Sequence, residues 1–220
     1  MLDKKAEIDA EAIAYADSVF YITGSHGLSR KKAKRKPAPF TVFRLKGDKV
    51  RASTRLGEAI AAAPLLSRYA EQPLTKNGAN IEGLAAVGDT LFFGFRGPSI
   101  KGNAIILETS ARALFSQSEL PVSIHTVRLG DRIGIRDMAA VDEGILLLTG
   151  PVNTLPRQFT VALWKPGEET VETLGDVPVP GDGKPEGLLV LIEKPETYRL
   201  LVFHDSARNG APTPIVFEKP

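Results

Sequence analysis

Apolar positions along the chain fall in short bursts rather than in helical periods. Val19-Phe20-Tyr21-Ile22, Leu91-Phe92-Phe93, Ile145-Leu146-Leu147-Leu148 and Leu200-Leu201-Val202-Phe203 are too short for helices and too apolar for loops. Such runs read as strands, with blurred alternation where both faces are buried. A further strand follows each burst, over Phe40 to Leu45, Asn103 to Leu107, Phe159 to Trp164 and Pro214 to Glu218. Gly47-Asp48, Gly88-Asp89 and Pro166-Gly167 punctuate the connections, as turns between antiparallel strands require. An additional strand is predicted near Thr170 to Leu174.

The segment ahead of each burst repeats. Its copies are Ile8-Asp9-Ala10-Glu11-Ala12-Ile13-Ala14, Asn80-Ile81-Glu82-Gly83-Leu84-Ala85, Gly134-Ile135-Arg136-Asp137-Met138-Ala139 and Lys184-Pro185-Glu186-Gly187-Leu188-Leu189. Alignment puts Glu11, Glu82, Arg136 and Glu186 in one column, at separations of 71, 54 and 50 residues. Periods near 50 residues, each holding a small antiparallel sheet, suggest propeller blades. The expectation is an all-β chain: one β-propeller domain over residues 1–220 with about four blades, at roughly 6–50, 78–110, 122–175 and 182–219. The long first interval holds the clear helical stretch. Leu56, Ala59, Ile60 and Ala63 share a face, Pro64 interrupts, and Leu65, Leu66 and Tyr69 resume on a new axis. This predicts a short helical insertion near residues 55–70, packed over a blade edge or a channel mouth.

Composition narrows the chemistry. At 220 residues, 43% hydrophobic and 25% charged, the chain can bury a large core without staples. It has no cysteine, which excludes disulfides, thiolate metal sites and a cysteine nucleophile. Apolar runs are shorter than a membrane span needs, and no signal peptide is visible, so the expected setting is cytoplasmic. The net charge of +2 is uneven. Arg30, Lys31, Lys32, Lys34, Arg35 and Lys36 put six positive charges into seven residues and leave −4 for the rest. No aromatic side chains are interleaved there for base stacking. The run reads as a solvated loop, and nucleic acid is not an expected partner.

The four repeat elements, with Phe95-Arg96-Gly97-Pro98 and the Tyr21 to His26 stretch, resemble a bacterial propeller family, domain of unknown function 3616. The resemblance spans nearly the whole chain and implies the propeller fold without an activity. The Glu-Gly-Leu-Ala element is also similar to that of phytase-like esterase propellers, which implies ester or phosphoester hydrolysis but transfers no catalytic residue. Family members carry strand material ahead of the first Glu element, and here about seven residues precede it. The resemblance therefore leaves open a short closed propeller, an incomplete ring, or part of a larger one.

In a propeller the innermost strands line the channel, so Glu11, Glu82, Arg136 and Glu186 would form a ring with Asp137 beside it. Two like charges about 4 Å apart repel by roughly 4 kcal/mol at an effective dielectric near 20. Arg136 can take one carboxylate in a bidentate pair. Three alternatives stand for the glutamates: backbone hydrogen bonds that lock blades together, a calcium ion on Glu11, Glu82 and Glu186, or acid–base catalysis. Ser25, His26, Arg96, His204 and Asp205 end equivalent strands and should gather on one face of the disc. There a histidine could move protons and Arg96 could hold an anion. His204 and Asp205, as strand neighbours, should point apart. Trp164 reads as a packing anchor and His125 as an ordinary strand residue. The expected function is binding of a small molecule at an acidic channel and its rim, extending to weak metal-assisted hydrolysis of esters or phosphoesters. The rival is a noncatalytic interaction scaffold. An unpaired terminal blade edge would favour a homodimer.

Overall fold

The computed structural model describes residues 9–28, 38–153 and 158–220. Four antiparallel sheets follow one another along the chain. The first blade is β1 (Ala10–Ala16), β2 (Val19–Gly24), β3 (Val42–Lys46) and β4 (Lys49–Ser53). The second is β5 (Asn80–Val87), β6 (Thr90–Gly97), β7 (Asn103–Ser110) and β8 (Val122–Arg128). The third is β9 (Ile133–Val141), β10 (Gly144–Pro151), β11 (Thr160–Trp164) and β12 (Glu172–Asp176). The fourth has three strands among the described residues, β13 (Lys184–Glu193), β14 (Thr197–Asp205) and β15 (Thr213–Glu218). This is a four-bladed β-propeller in which every blade is an up-and-down meander. The expected boundaries shift in one place. Val122–Arg128 closes the second blade instead of opening the third, because the helical turn α3 (Ala111–Leu114) hides the β7–β8 hairpin in the sequence.

Three apolar layers hold the blades together. Tyr21, Val42, Leu84, Phe93 and Phe95 fill the first junction. Phe92, Ile106, Met138, Leu147 and Trp164 fill the second, and Leu146, Leu148, Tyr198, Leu200 and Val202 the third. Burying each such aliphatic or phenylalanine side chain contributes about 1.5–3 kcal/mol. Trp164 is fully buried, meets Phe92 and His125 edge-on, and donates its indole N–H to the Glu168 carbonyl at 2.8 Å. It is the anchor the sequence suggested. Helices α1 (Arg55–Ala62) and α2 (Ser67–Ala70) divide at Pro64 and bury Leu56, Ile60 and Leu66 on the first layer.

Among the described residues the ring is open on one side. β1 packs on β5, β5 on β9 and β9 on β13, while β13 and β1 share no comparable packing. Among the described residues β1 and β15 belong to different sheets, and no strand exchange joins the first and last blades. No helix among the described residues is long and apolar enough to cross a membrane. The Arg30 to Lys36 run lies outside the described residues.

Candidate functional site at the channel mouth

The four aligned residues share a backbone device as well as a column. In β1 the pairing with β2 steps from Ala10 to Ala12, skipping Glu11. It skips Glu82 between Ile81 and Gly83, Arg136 between Ile135 and Asp137, and Glu186 between Pro185 and Gly187. Each is thus the extra residue of a β-bulge, at the same end of the innermost strand of each blade. A bulge bends its strand and re-aims a side chain. Here all four are aimed into one cavity of about 600 Å³.

Within it the charged groups interlock. Arg96 donates from Nη1 to Glu82 Oε1 at 2.8 Å and from Nε to the Val152 carbonyl at 3.0 Å. Arg136 Nη1 lies 3.0 Å from Glu82 Oε2, an ion pair not aligned as a hydrogen bond, and Arg136 Nη2 donates to Glu186. The expected bidentate pair is therefore corrected. Arg136 spans two carboxylates, one nitrogen each, because Glu82 and Glu186 flank it from the blades on either side. Arg136 and Glu82 are buried, whereas the Glu186 side chain is 32% exposed to the cavity. Gly134 makes room for Arg96: a Cβ there would lie 1.9 Å from the Arg96 carbonyl oxygen.

Protonation divides the carboxyls. Burial, reinforced by Glu82, Asp9 and Glu186 and opposed by Arg136, pushes Glu11 up to about 8. Burial also raises Glu186, with Arg136 pulling against it, and lowers Arg136. Lys184 and Asp205, cross-strand partners on β13 and β14, complete the charged lining. Below about pH 8, where Glu11 holds its proton, the three other carboxylates of the lining, Glu82, Glu186 and Asp205, face three cations, Arg96, Arg136 and Lys184. The column alone sets three carboxylates against Arg136, and Arg96 and Lys184 enter from positions outside it with two further cations.

Asp137 turns away from the mouth. Its Oδ1 accepts from the Met138 amide at 2.8 Å and its Oδ2 from the Leu188 amide at 2.7 Å. It bolts β9 to β13, the blade lock considered for the glutamates. Burial pushes it up to about 8 while the two amide donors pull it down. Ser25 and His26 are buried outside the cavity lining; Ser25 donates to Asp9 at 2.8 Å and His26 lies edge-on to Phe40. His204 is buried, its ring nitrogens 3.1 Å from the Ala211 carbonyl and 3.3 Å from that of Pro178. Asp205 points the other way, into the mouth. The mouth thus gathers Glu11, Glu82, Arg96, Arg136, Glu186 and Asp205, and not Ser25, His26, Asp137 or His204. Among the described residues no three His, Asp or Glu side chains are arranged to hold a metal ion. Lys184, Asn153 and Thr75, with an apolar wall of Leu74, Val152 and Phe159, were not singled out by the sequence. Leu74 and Thr75 arrive on the turn after α2, so the helical insertion reaches the mouth.

Inner-strand bulges converge on one charged cavity, and the four meander sheets define a β-propeller. The chain belongs to the family described as protein of unknown function (DUF3616), which matches residues 1–47 and 41–213. No curated protein matches it. Among solved structures, the GH43 endo-arabinanase from Bacillus licheniformis aligns over 99% of this chain and 96% of its own, at 9% identity and a TM-score of 0.36. A likeness that slight carries no argument about the site.

Proposed function

We propose that the channel mouth binds a small, uncharged, hydroxyl-bearing molecule, and that Glu11 is its proton donor. The observation that carries this is the charge balance. A mouth with three cations facing three carboxylates, beside a Glu11 that burial pushes up to about 8, offers donors and acceptors without a large excess of either sign. Such a surface rewards hydroxyl groups, which both donate and accept, over a dianion or a free cation. Leu74, Val152 and Phe159 supply the apolar side that small-molecule sites use for contact area.

The same arrangement suits hydrolysis of a neutral ester better than of a phosphoester. Glu11 and Glu186 lie on one cavity with environments that differ, the usual basis for an acid and a base in one site. Glu11 would protonate the departing oxygen, and Glu186 would accept a proton from the attacking water. The test is a pair of measurements on the full chain. Neutral polyols and sugars are titrated against amide chemical shifts, and chromogenic acetate and phosphate esters are assayed with and without calcium. Shifts at Glu11, Arg96 and Lys184, with acetate turnover lost in Glu11→Gln, are expected. If no neutral ligand moves those amides, and protein partners are captured instead, the propeller is an interaction scaffold.

A further inference from the structure

A second cavity, of about 530 Å³, opens at the opposite end of the first two blades, between the turns of the first blade and α3 of the second. Strand alternation dictates its lining. On β3, Val42, Arg44 and Lys46 share one face, and the register sets Arg44 between Tyr21 on β2 and Arg51 on β4. The row Tyr21–Arg44–Arg51 therefore crosses the sheet on the face turned toward the second blade, where Tyr21 lies against Phe115 with ring centroids 6.3 Å apart. Arg112 adds a cation from α3.

Like charges directly opposite on neighbouring strands are unfavourable, so Arg44 facing Arg51 calls for an anion. Two carboxylates, Asp17 and Asp89, share the lining with four cations, and neither forms an ion pair with Arg44 or Arg51. Asp89 is occupied capping α3, accepting from Ser110 Oγ at 2.7 Å and the Arg112 amide at 3.0 Å. Among the described residues no carboxylate forms an ion pair with Arg44, Lys46, Arg51 or Arg112. Arg51 is oriented by donating to the Phe115 carbonyl. The cleft is thus basic at its walls and apolar at its floor, where Val19, Tyr21 and Phe115 lie. Its size suits a small ligand. Paired guanidiniums beside a lysine match the several oxygens of a phosphate.

We infer that this cleft binds a small phosphate monoester, its phosphate among Arg44, Arg51 and Lys46 and its apolar body over Val19, Tyr21 and Phe115. The cleft holds two aromatic side chains at one floor and no row of rings along a groove for successive bases, which sets it apart from a single-strand nucleic-acid surface. The site is independent of the channel mouth, and so is its test.

Phenyl phosphate, inorganic phosphate, phenol and a short single-stranded oligonucleotide are titrated into the full chain, with affinity read by calorimetry and location by amide shifts. Phenyl phosphate should bind more tightly than inorganic phosphate and shift Tyr21, Arg44 and Phe115, while phenol should not bind. Arg44→Gln should weaken phenyl phosphate by about tenfold or more. The exposed double substitution Lys46→Gln with Arg112→Gln gives the same reading should Arg44→Gln fail to fold. Three outcomes overturn the inference: no binding of phenyl phosphate, binding indifferent to these substitutions, or tighter binding of the oligonucleotide, which would make the cleft a nucleic-acid surface.

Discussion

Glu82 and Arg136 come from neighbouring blades and meet at 3.0 Å because each is the bulged residue of its strand. Without the two bulges, the side chains would follow the regular alternation of β5 and β9 into an apolar layer. The bulge is therefore the event that turns a repeated sequence column into a shared site.

Removing one partner of that pair should be costly. Arg136 and Glu82 are buried, so Arg136→Met leaves Glu82 and Glu186 short of their counter-charge. Breaking a buried pair in this way typically costs about 3–5 kcal/mol. Combining it with Glu82→Gln should recover part of the loss. Urea midpoints of the two single variants and the double would show this as a coupling term; strict additivity would mean that the pair contributes no interaction.

The pH dependence of stability follows from Glu11. Its folded value of about 8 lies above the ordinary 4.5. Between those values the folded chain holds a proton that the unfolded chain has released, so stability is fully present below pH 4.5 and declines as pH rises toward 8. Glu11→Gln should make that decline shallower and leave the protein relatively more stable at pH 8. Asp137, also pushed up to about 8, should account for a remaining slope. Melting temperatures from pH 5 to 8 test both, and parallel curves for wild type and variant would defeat the assignment to Glu11.

How far the site can be read from sequence depends on whether a feature is local. The column of Glu11, Glu82, Arg136 and Glu186 is legible, because each residue keeps the same neighbours and the same distance to the following apolar burst. The bulges are not, because a bulge is a mismatch between two strands and marks neither alone. Arg96 and Asp205 could be placed at the rim from their strand ends. Lys184 becomes part of the mouth only through its pairing with Asp205. Ser25 and His26 end an equivalent strand, yet they turn into the protein. The Ser25 carbonyl accepts the Ile81 amide at 2.7 Å, which ties this turn to the second blade. The blade lock was foreseeable as chemistry, a carboxylate on a neighbouring backbone. It falls to Asp137 because the bulge sends Arg136 into the channel and the next side chain toward β13.

Asp137 gives the sharpest local test of blade packing. It joins β9 to β13 through the Leu188 amide, and a hydrogen bond of this kind typically contributes about 0.5–1.5 kcal/mol, more once the carboxyl is ionised. Asp137→Ala should therefore loosen the fourth blade first. Amide exchange at Leu188 and Val190 should accelerate more than at Phe93 or Leu107, which lie in the first apolar layer. Uniform acceleration through all four blades would mean that Asp137 contributes to global stability only.

The open side of the ring should drive self-association. On the first blade, Ala12, Ala14, Val19 and Tyr21 pack toward the second. The alternate positions Ile13, Tyr15 and Phe20 are left 58%, 59% and 46% exposed. On the fourth blade, Leu188, Tyr198, Leu200 and Val202 pack toward the third, leaving Leu189 and Val216 at 47% and 59%. Contiguous apolar faces of this kind mark interaction surfaces. They are also complementary in kind. Each inner junction sets the forward face of one blade on the rear face of the next, and the uncovered pair is one forward and one rear face. A second copy supplies both, with its fourth blade on the first and its first on the fourth, about a twofold axis. Light scattering across a dilution series should show a concentration-dependent dimer. Tyr15→Glu or Leu189→Glu should give a monomer that keeps its melting temperature at low concentration, since neither side chain belongs to an apolar layer within the chain. A wild type that stays monomeric at high concentration would leave these faces to some other occupant and defeat the prediction.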